Sequence, residues 1–158
     1  MSRNREWLHP FLKLDARRAE EHIAVEAIHR QEDTVLSALE VLRTEPGVLL
    51  ADEVGMGKTY QALGLIGCML EERESPHILV VTPRPVLNRQ WLRVAGRFRD
   101  QGFYRFPVGS LGEATHLTQL AEACQRHKVV FVPVTVFRGA RAQSERGAIL
   151  QLWFRLRG

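Results

Sequence analysis

The stretch Val48-Leu49-Leu50-Ala51-Asp52-Glu53-Val54-Gly55-Met56-Gly57-Lys58-Thr59 decides how this chain is read. An apolar run leads into a turn with two glycines, the turn closes on Gly-Lys-Thr, and a helical pattern follows at once. This is the layout of a phosphate-binding loop. Backbone N–H groups curl around an anion at a helix N-terminus, Lys58 reaches the β/γ-phosphates, and the Thr59 hydroxyl is placed to ligate Mg²⁺. Gly55 and Gly57 fall where positive φ or close phosphate approach requires a missing Cβ. The general pattern begins with glycine, and here that position is Asp52. A chance Gly-Lys-Thr in a surface turn is the competing reading, but it leaves the preceding strand and the following helix unexplained.

Outward from the loop, apolar spacing predicts alternating strands and helices. Val48–Ala51 reads as a short buried strand, and Thr59 to about Arg73 as a helix ended by Ser75-Pro76. His77–Thr82 is a continuous apolar run of the kind covered on both faces in a parallel sheet. After the Pro83-Arg84-Pro85 turn, about 86–99 is helical, 103–108 suits a short strand, and Gly112 to His127 a helix. Lys128–Val136 is a third strand, with Pro133 near its end, and Gly147–Arg157 a final short helix. Upstream, residues 16–30 and 34–43 read as two helices separated by the polar run His29-Arg30-Gln31-Glu32-Asp33. Residues 1–15 read as an arm packing on a neighbour. The pattern indicates an α/β fold, a parallel sheet flanked by helices and preceded by N-terminal helices.

At 158 residues the chain has the length of about one domain, and 45% hydrophobic with 25% charged residues places it among globular proteins. The net charge of +4, nearly all of it from arginine, is compatible with a polyanionic partner without requiring one. Cys68 and Cys124 have no metal-ligand spacing and read as reduced thiols. No apolar run is long enough to span a membrane, and Met1–Glu6 leads into no signal-type core. The expected location is the cytoplasm.

The departure at Asp52 is informative. Leu50-Ala51-Asp52-Glu53-Val54-Gly55-Met56-Gly57-Lys58-Thr59 resembles the first motif of superfamily-two helicase-like ATPases, and within them the Swi/Snf-type double-stranded-DNA translocases, where Asp-Glu precedes Gly-x-Gly-Lys-Thr. Gln31 stands upstream about where that family places the glutamine that recognises adenine. Val80-Val81-Thr82-Pro83, with Leu87 and Trp91, is similar to the second motif, and Pro133–Arg138 falls where a nucleic-acid-contacting motif is due. The resemblance covers residues from about 25 to about 140. It implies that 16–158 form part of a first RecA-like lobe that takes ATP and Mg²⁺. Lys58 would neutralise the β/γ-phosphates, Thr59 would hold Mg²⁺, and the amides of Gly55, Met56 and Gly57 would cradle the β-phosphate. Asp52, Glu53 and Val54 belong to the loop's frame, and Gln31 reads adenine, against the alternative of a polar residue between two helices. Thr82, Arg84 and Arg138 would touch a nucleic-acid backbone, against ordinary loop solvation. Trp91 is expected in the core.

Hydrolysis needs more than a phosphate grip. The family adds an Asp-Glu-x-His motif at a later strand end and a second RecA-like lobe bearing arginine fingers. Here no Asp follows Asp100, and the later acids are Glu113, Glu122 and Glu145, none at the end of an apolar strand. In that family the strand feeding the loop pairs with later strands. An unpaired Val48–Ala51 would leave buried groups unsatisfied at about 1–3 kcal/mol each. The expectation is an N-terminal piece of a DNA-dependent ATPase that depends on the remaining motor lobes, in cis or in trans. The alternatives are a non-catalytic remnant that holds ATP or nucleic acid, and an unrelated phosphate-loop protein such as a small kinase.

Overall fold

Buried leucines and two closely packed glycines, Gly64 and Gly67, organise the first part of the chain. The computed structural model describes residues 4–17, 24–51, 55, 57–72, 76–107 and 109–137. Two units are present: Met1–Glu74 with Arg97–Arg105, and Ser75–Gly96 with Phe106–Gly158. In the first, Asn4 caps helix α1 (Arg5–Leu8) by accepting the Trp7 N–H, and a 3-10 turn follows at Leu14–Arg17. Leu8, Leu12 and Leu14 are buried, so the N-terminal residues pack on their own chain and not on a neighbour. The Lys13 N–H donates to the Phe103 carbonyl at 2.8 Å, and Leu12 bridges Tyr104 in antiparallel fashion.

Helix α2 (Val25–Thr44) is continuous where two helices were expected. Its buried residues Ile28, Glu32, Val35 and Leu39 keep helical spacing straight through the polar run. The run does not break the helix because its acidic side chains, Glu32 and Asp33, have partners. His9 Nε2 lies 3.2 Å from Glu32 Oε1, Arg5 Nε lies 3.7 Å from Glu32 Oε2, and the Arg5 guanidinium binds both Asp33 oxygens at 3.0 and 2.5 Å. The hydrogen bond to Asp33 is the main cause that raises the Arg5 pKa further.

Helix α3 (Lys58–Glu72) packs through its glycines. A Cβ on Gly64 would meet Leu12 at 3.1 Å and Val35 at 3.3 Å, and one on Gly67 would meet the Tyr104 ring at 3.1 Å. Tyr60, Phe98 and Phe103 close this core, with ring centroids 5.0 to 5.6 Å apart. The Tyr104 hydroxyl donates to Glu71 at 3.0 Å, and burial, then that carboxylate, pushes the phenol pKa up. Val48–Ala51 forms no ladder among the described residues, and Leu49 is 86% exposed. Apolar content without a neighbouring strand does not make a buried strand.

The second unit is a three-stranded parallel sheet in the order β1 (Ile78–Thr82), β3 (Val129–Pro133), β2 (Leu111–Glu113). Helix α4 (Pro85–Asp100) follows β1, and its residues from Arg97 onward count with the first unit. Helix α5 (Leu117–Arg126) links β2 to β3, and a 3-10 turn at Val134–Phe137 follows β3. Central β3 is buried at all five residues. Strand β1 is not covered on both faces as expected, since Leu79 and Val81 are 40% and 49% exposed. Ala114, Leu117, Leu120, Ala123, Val130 and Val132 form the core between α5 and the sheet.

Two element assignments shift here. The strand expected at 103–108 is a single bridge at Tyr104, while Gly112 and Glu113, expected as the start of a helix, belong to β2. Pairing with β3 overrides local pattern: Gly112 sits against the His127 ring where a Cβ would collide, and His127 Nδ1 lies 2.6 Å from the Gly109 carbonyl. The third strand ends at Pro133, short of Val136. The helix expected at Gly147–Arg157 lies outside the described residues. Cys68 and Cys124 are free thiols, and burial pushes the Cys124 pKa up.

Phe103→Ala is expected to destabilise the first unit by about 3–5 kcal/mol, because it removes the ring that contacts both Tyr60 and Phe98. Urea denaturation followed by tryptophan and tyrosine fluorescence checks it.

Candidate nucleotide site and sheet edge

Two glycines in left-handed conformation precede α3. Gly55 has φ +90° and Gly57 φ +80°, a region other residues enter only with strain. The Gly57 carbonyl accepts from the Tyr60 and Gln61 N–H groups at 2.8 and 3.0 Å, so the helix is initiated at Gly57 and Lys58 and Thr59 occupy its first turn. The first N–H groups of a helix have no partner within it and form a partial positive charge suited to an anion. Lys58 and Thr59 are both partly exposed. Asp52, Glu53, Val54 and Met56 lie outside the described residues.

Gln31 arrives at this turn from α2. A Cβ placed on Gly57 would meet Gln31 Nε2 at 2.5 Å and Cδ at 3.0 Å. The Gln31 amide therefore lies over the Cα that precedes Lys58, and the glycine is needed both for its backbone angle and for this contact. The structure brings Gln31, Gly57, Lys58 and Thr59 together within the first unit. Sequence reading placed Gln31 between helices; it is in fact one residue from the buried Glu32 on an unbroken helix, held by Arg5 and His9. No motif pointed to Arg5, His9 or Glu32. The available signal was a charged residue, Glu32, at an apolar position of the helical repeat.

At the carboxyl edge of the parallel sheet, in the second unit, Arg84 is exposed on the turn after β1. Thr82, expected to face a ligand, is 2% exposed. Its Oγ1 lies 2.5 Å from Asn88 Oδ1 and 3.2 Å from the Arg84 carbonyl. Asn88 Nδ2 donates to the Phe131 carbonyl at 3.1 Å. Trp91 is half-buried, its ring 6.3 Å from that of Phe131 and tilted by 33°, a packing role. Glu113, exposed at the end of β2, is a strand-end acid that the helix assignment had hidden. Arg138 lies outside the described residues. Among the described residues, no cluster of three or more His, Cys, Asp or Glu side chains could hold a metal ion, and no helix is long and apolar enough to cross a membrane.

The family model for the SNF2-related domain matches residues 11–149. The chain is 46% identical over 50 residues to RNA polymerase-associated protein RapA of Erwinia tasmaniensis, covering 32% of this chain and 5% of that protein. It is 48% identical over 46 residues to the CHD3-type chromatin-remodeling factor CHR7 of Arabidopsis thaliana, covering 29% and 4%. It is 28% identical over 109 residues to the ATP-dependent helicase fft2 of Schizosaccharomyces pombe, covering 65% and 8%. The matched stretches are thus less than a tenth of the length of these relatives. No solved structure is a significant match.

The glycines allow a graded prediction. Gly55→Ala meets no atom within 4 Å and is expected to add only backbone strain, about 1–2 kcal/mol. Gly57→Ala adds the same strain and displaces Gln31, so its loss of stability should be larger. Parallel urea melts of the two variants rank them.

Proposed function

From membership of the SNF2-related domain family, to which this chain belongs, we propose that it forms the ATP-binding part of a helicase-like, DNA-dependent motor. The observation that carries the proposal is the convergence of Gln31 on Gly57 beside Lys58 and Thr59. In this reading Lys58 neutralises the β/γ-phosphates and the N–H groups of Gly55, Met56 and Gly57 cradle the β-phosphate, with Asp52, Glu53 and Val54 framing the loop. Two left-handed glycines at a helix N-terminus fit a phosphate group. Thr59 supplies a single hydroxyl, which suits Mg²⁺ held jointly with the nucleotide's own oxygens. When bound, the ion neutralises phosphate charge; the chain's own part is to position the oxygens around it. Gln31, anchored from α2, faces the base.

Support for a nucleic-acid partner comes from the exposed Arg84 at the sheet edge and from relatives whose names describe chromatin remodeling, helicase activity and association with RNA polymerase. Duplex DNA is the proposed partner, with Arg84 and Arg138 on its backbone and Thr82 shaping the turn from inside. We further propose that these 158 residues bind ATP without turning it over, in the cytoplasm, and that the remaining motor lobes act with them. The sequence contains no Asp-Glu-x-His; strands β1 and β3 end in Thr82 and Pro133, and Glu113 at the end of β2 stands in Gly-Glu-Ala-Thr, outside such a motif.

Calorimetry with ATP, with and without Mg²⁺, tests the site. Lys58→Ala should abolish binding, and unchanged affinity would remove the loop assignment. Gln31→Ala should weaken ATP by roughly tenfold, the effect of about 1.4 kcal/mol, while leaving tripolyphosphate affinity alone. Equal losses for both ligands would place Gln31 on the phosphates and not on the base. ATP hydrolysis accelerated by DNA in the isolated chain would refute binding without turnover.

A further inference from the structure

We propose that Asn88 is a positioning residue that locks Arg84 in place for a phosphate of the nucleic-acid backbone, an inference that rests on the nucleic-acid reading of Arg84 above. Asn88 is 1% exposed, on the inner face of α4 that also carries Trp91 and Ala95. A buried amide is retained when both of its ends are satisfied. The Phe131 carbonyl can only accept, so the NH₂ end of Asn88 faces it and Oδ1 faces Thr82. Thr82 has one hydroxyl proton and two nearby acceptors. The nearer is Asn88 Oδ1 at 2.5 Å, with the Arg84 carbonyl at 3.2 Å. That proton is therefore committed inside the protein, and Thr82 acts on the turn and not on a ligand.

The result is a closed tie. One amide joins the end of β1, the first turns of α4 and the middle of β3, where the Phe131 carbonyl also accepts the Ala114 N–H at 3.0 Å. Between the tied residues Thr82 and Asn88 lie Pro83 and Arg84 and then Pro85, Val86 and Leu87, which open α4. Pro83 has a fixed φ, and Pro85 keeps Arg84 out of the helical region, so the segment has little freedom once its ends are held. The Arg84 carbonyl is further engaged by the Leu87 N–H at 3.0 Å. The guanidinium is thus presented from a stiffened backbone, and a preorganised cation loses less entropy on meeting a phosphate than one on a free loop.

The experiment uses the full chain and a short fluorescent DNA duplex, with anisotropy titrations across a KCl series. Each phosphate neutralised contributes about 0.9 to the slope of log K against log salt. Arg84→Ala should lower the slope by about 0.9. Asn88→Ala removes no charge, yet should lower the slope by the same amount, and the double variant should lose no more than either single one. Thr82→Val cuts the tie at its other end and should follow Asn88→Ala; it carries the test if Asn88→Ala does not fold, and unchanged ATP affinity verifies that the first unit is intact. A wild-type slope in Asn88→Ala and Thr82→Val, alongside a reduced one in Arg84→Ala, overturns the role of Asn88 alone. Additive losses in the double variant overturn it too. An Arg84→Ala variant indistinguishable from wild type refutes the nucleic-acid reading of this turn, and the role of Asn88 with it.

Discussion

The close approach of α2 to α3 over two glycines is the constraint on which the first unit depends. Gln31 and Val35, one turn apart on α2, lie over Gly57 and Gly64, the first just before α3 and the second within it. A Cβ at Gly57 would displace the end of the Gln31 side chain, and one at Gly64 would press on Leu12 and Val35 by a few tenths of an ångström. Because the gap is closed, α2 delivers Gln31 to the residue before Lys58, and Leu12 fills the remaining space over Gly64. Helix packing and the geometry of the candidate site are therefore linked: the helix that places Val35 over Gly64 also places the Gln31 amide over Gly57.

Such packing requires α2 to stay helical through five consecutive polar residues. Charge pairing makes that possible. A buried carboxylate left alone is strongly unfavourable, and Glu32 is tolerated because Arg5 and His9 reach it from α1. The bond between Arg5 and Asp33 is more exposed and contributes little by itself. Its effect is to hold the guanidinium where Glu32 needs it. The N-terminal residues are in this sense part of the support of the candidate nucleotide site, although none of them resembles a nucleotide-binding motif.

In the second unit, neutral hydrogen bonds do the corresponding work. Strand β3 is buried throughout and carries β1 and β2 on either side, and the polar tie through Asn88 joins that ladder to α4. The two units solve the same problem differently. One anchors a buried acidic side chain with an arginine and a histidine, the other satisfies a buried amide with a hydroxyl and a carbonyl, which avoids desolvating a full charge.

The glycine turn before α3, the helices α3 and α4, the parallel strands β1 and β3 and the α/β class were all legible in the sequence, because glycine turns, proline stops and apolar periodicity are local signals. The membership in a helicase-like family was legible for the same reason: Asp-Glu before Gly-x-Gly-Lys-Thr is a contiguous pattern. What misled was information that local pattern does not contain. The polar run resembled a helix break until its acids met Arg5 and His9, Leu111–Glu113 became a strand only beside β3, and Val48–Ala51 is apolar yet largely exposed, with no ladder partner among the described residues. Thr82 reads as a ligand contact by motif, but only the fold places Asn88 within reach of its hydroxyl. The sequence by itself determined the family and the glycine turn that opens α3, because both are contiguous patterns. The tertiary structure decided which side chains are free to meet a ligand and which are committed to partners, since hydrogen-bond and ion-pair partners distant in sequence are chosen by packing.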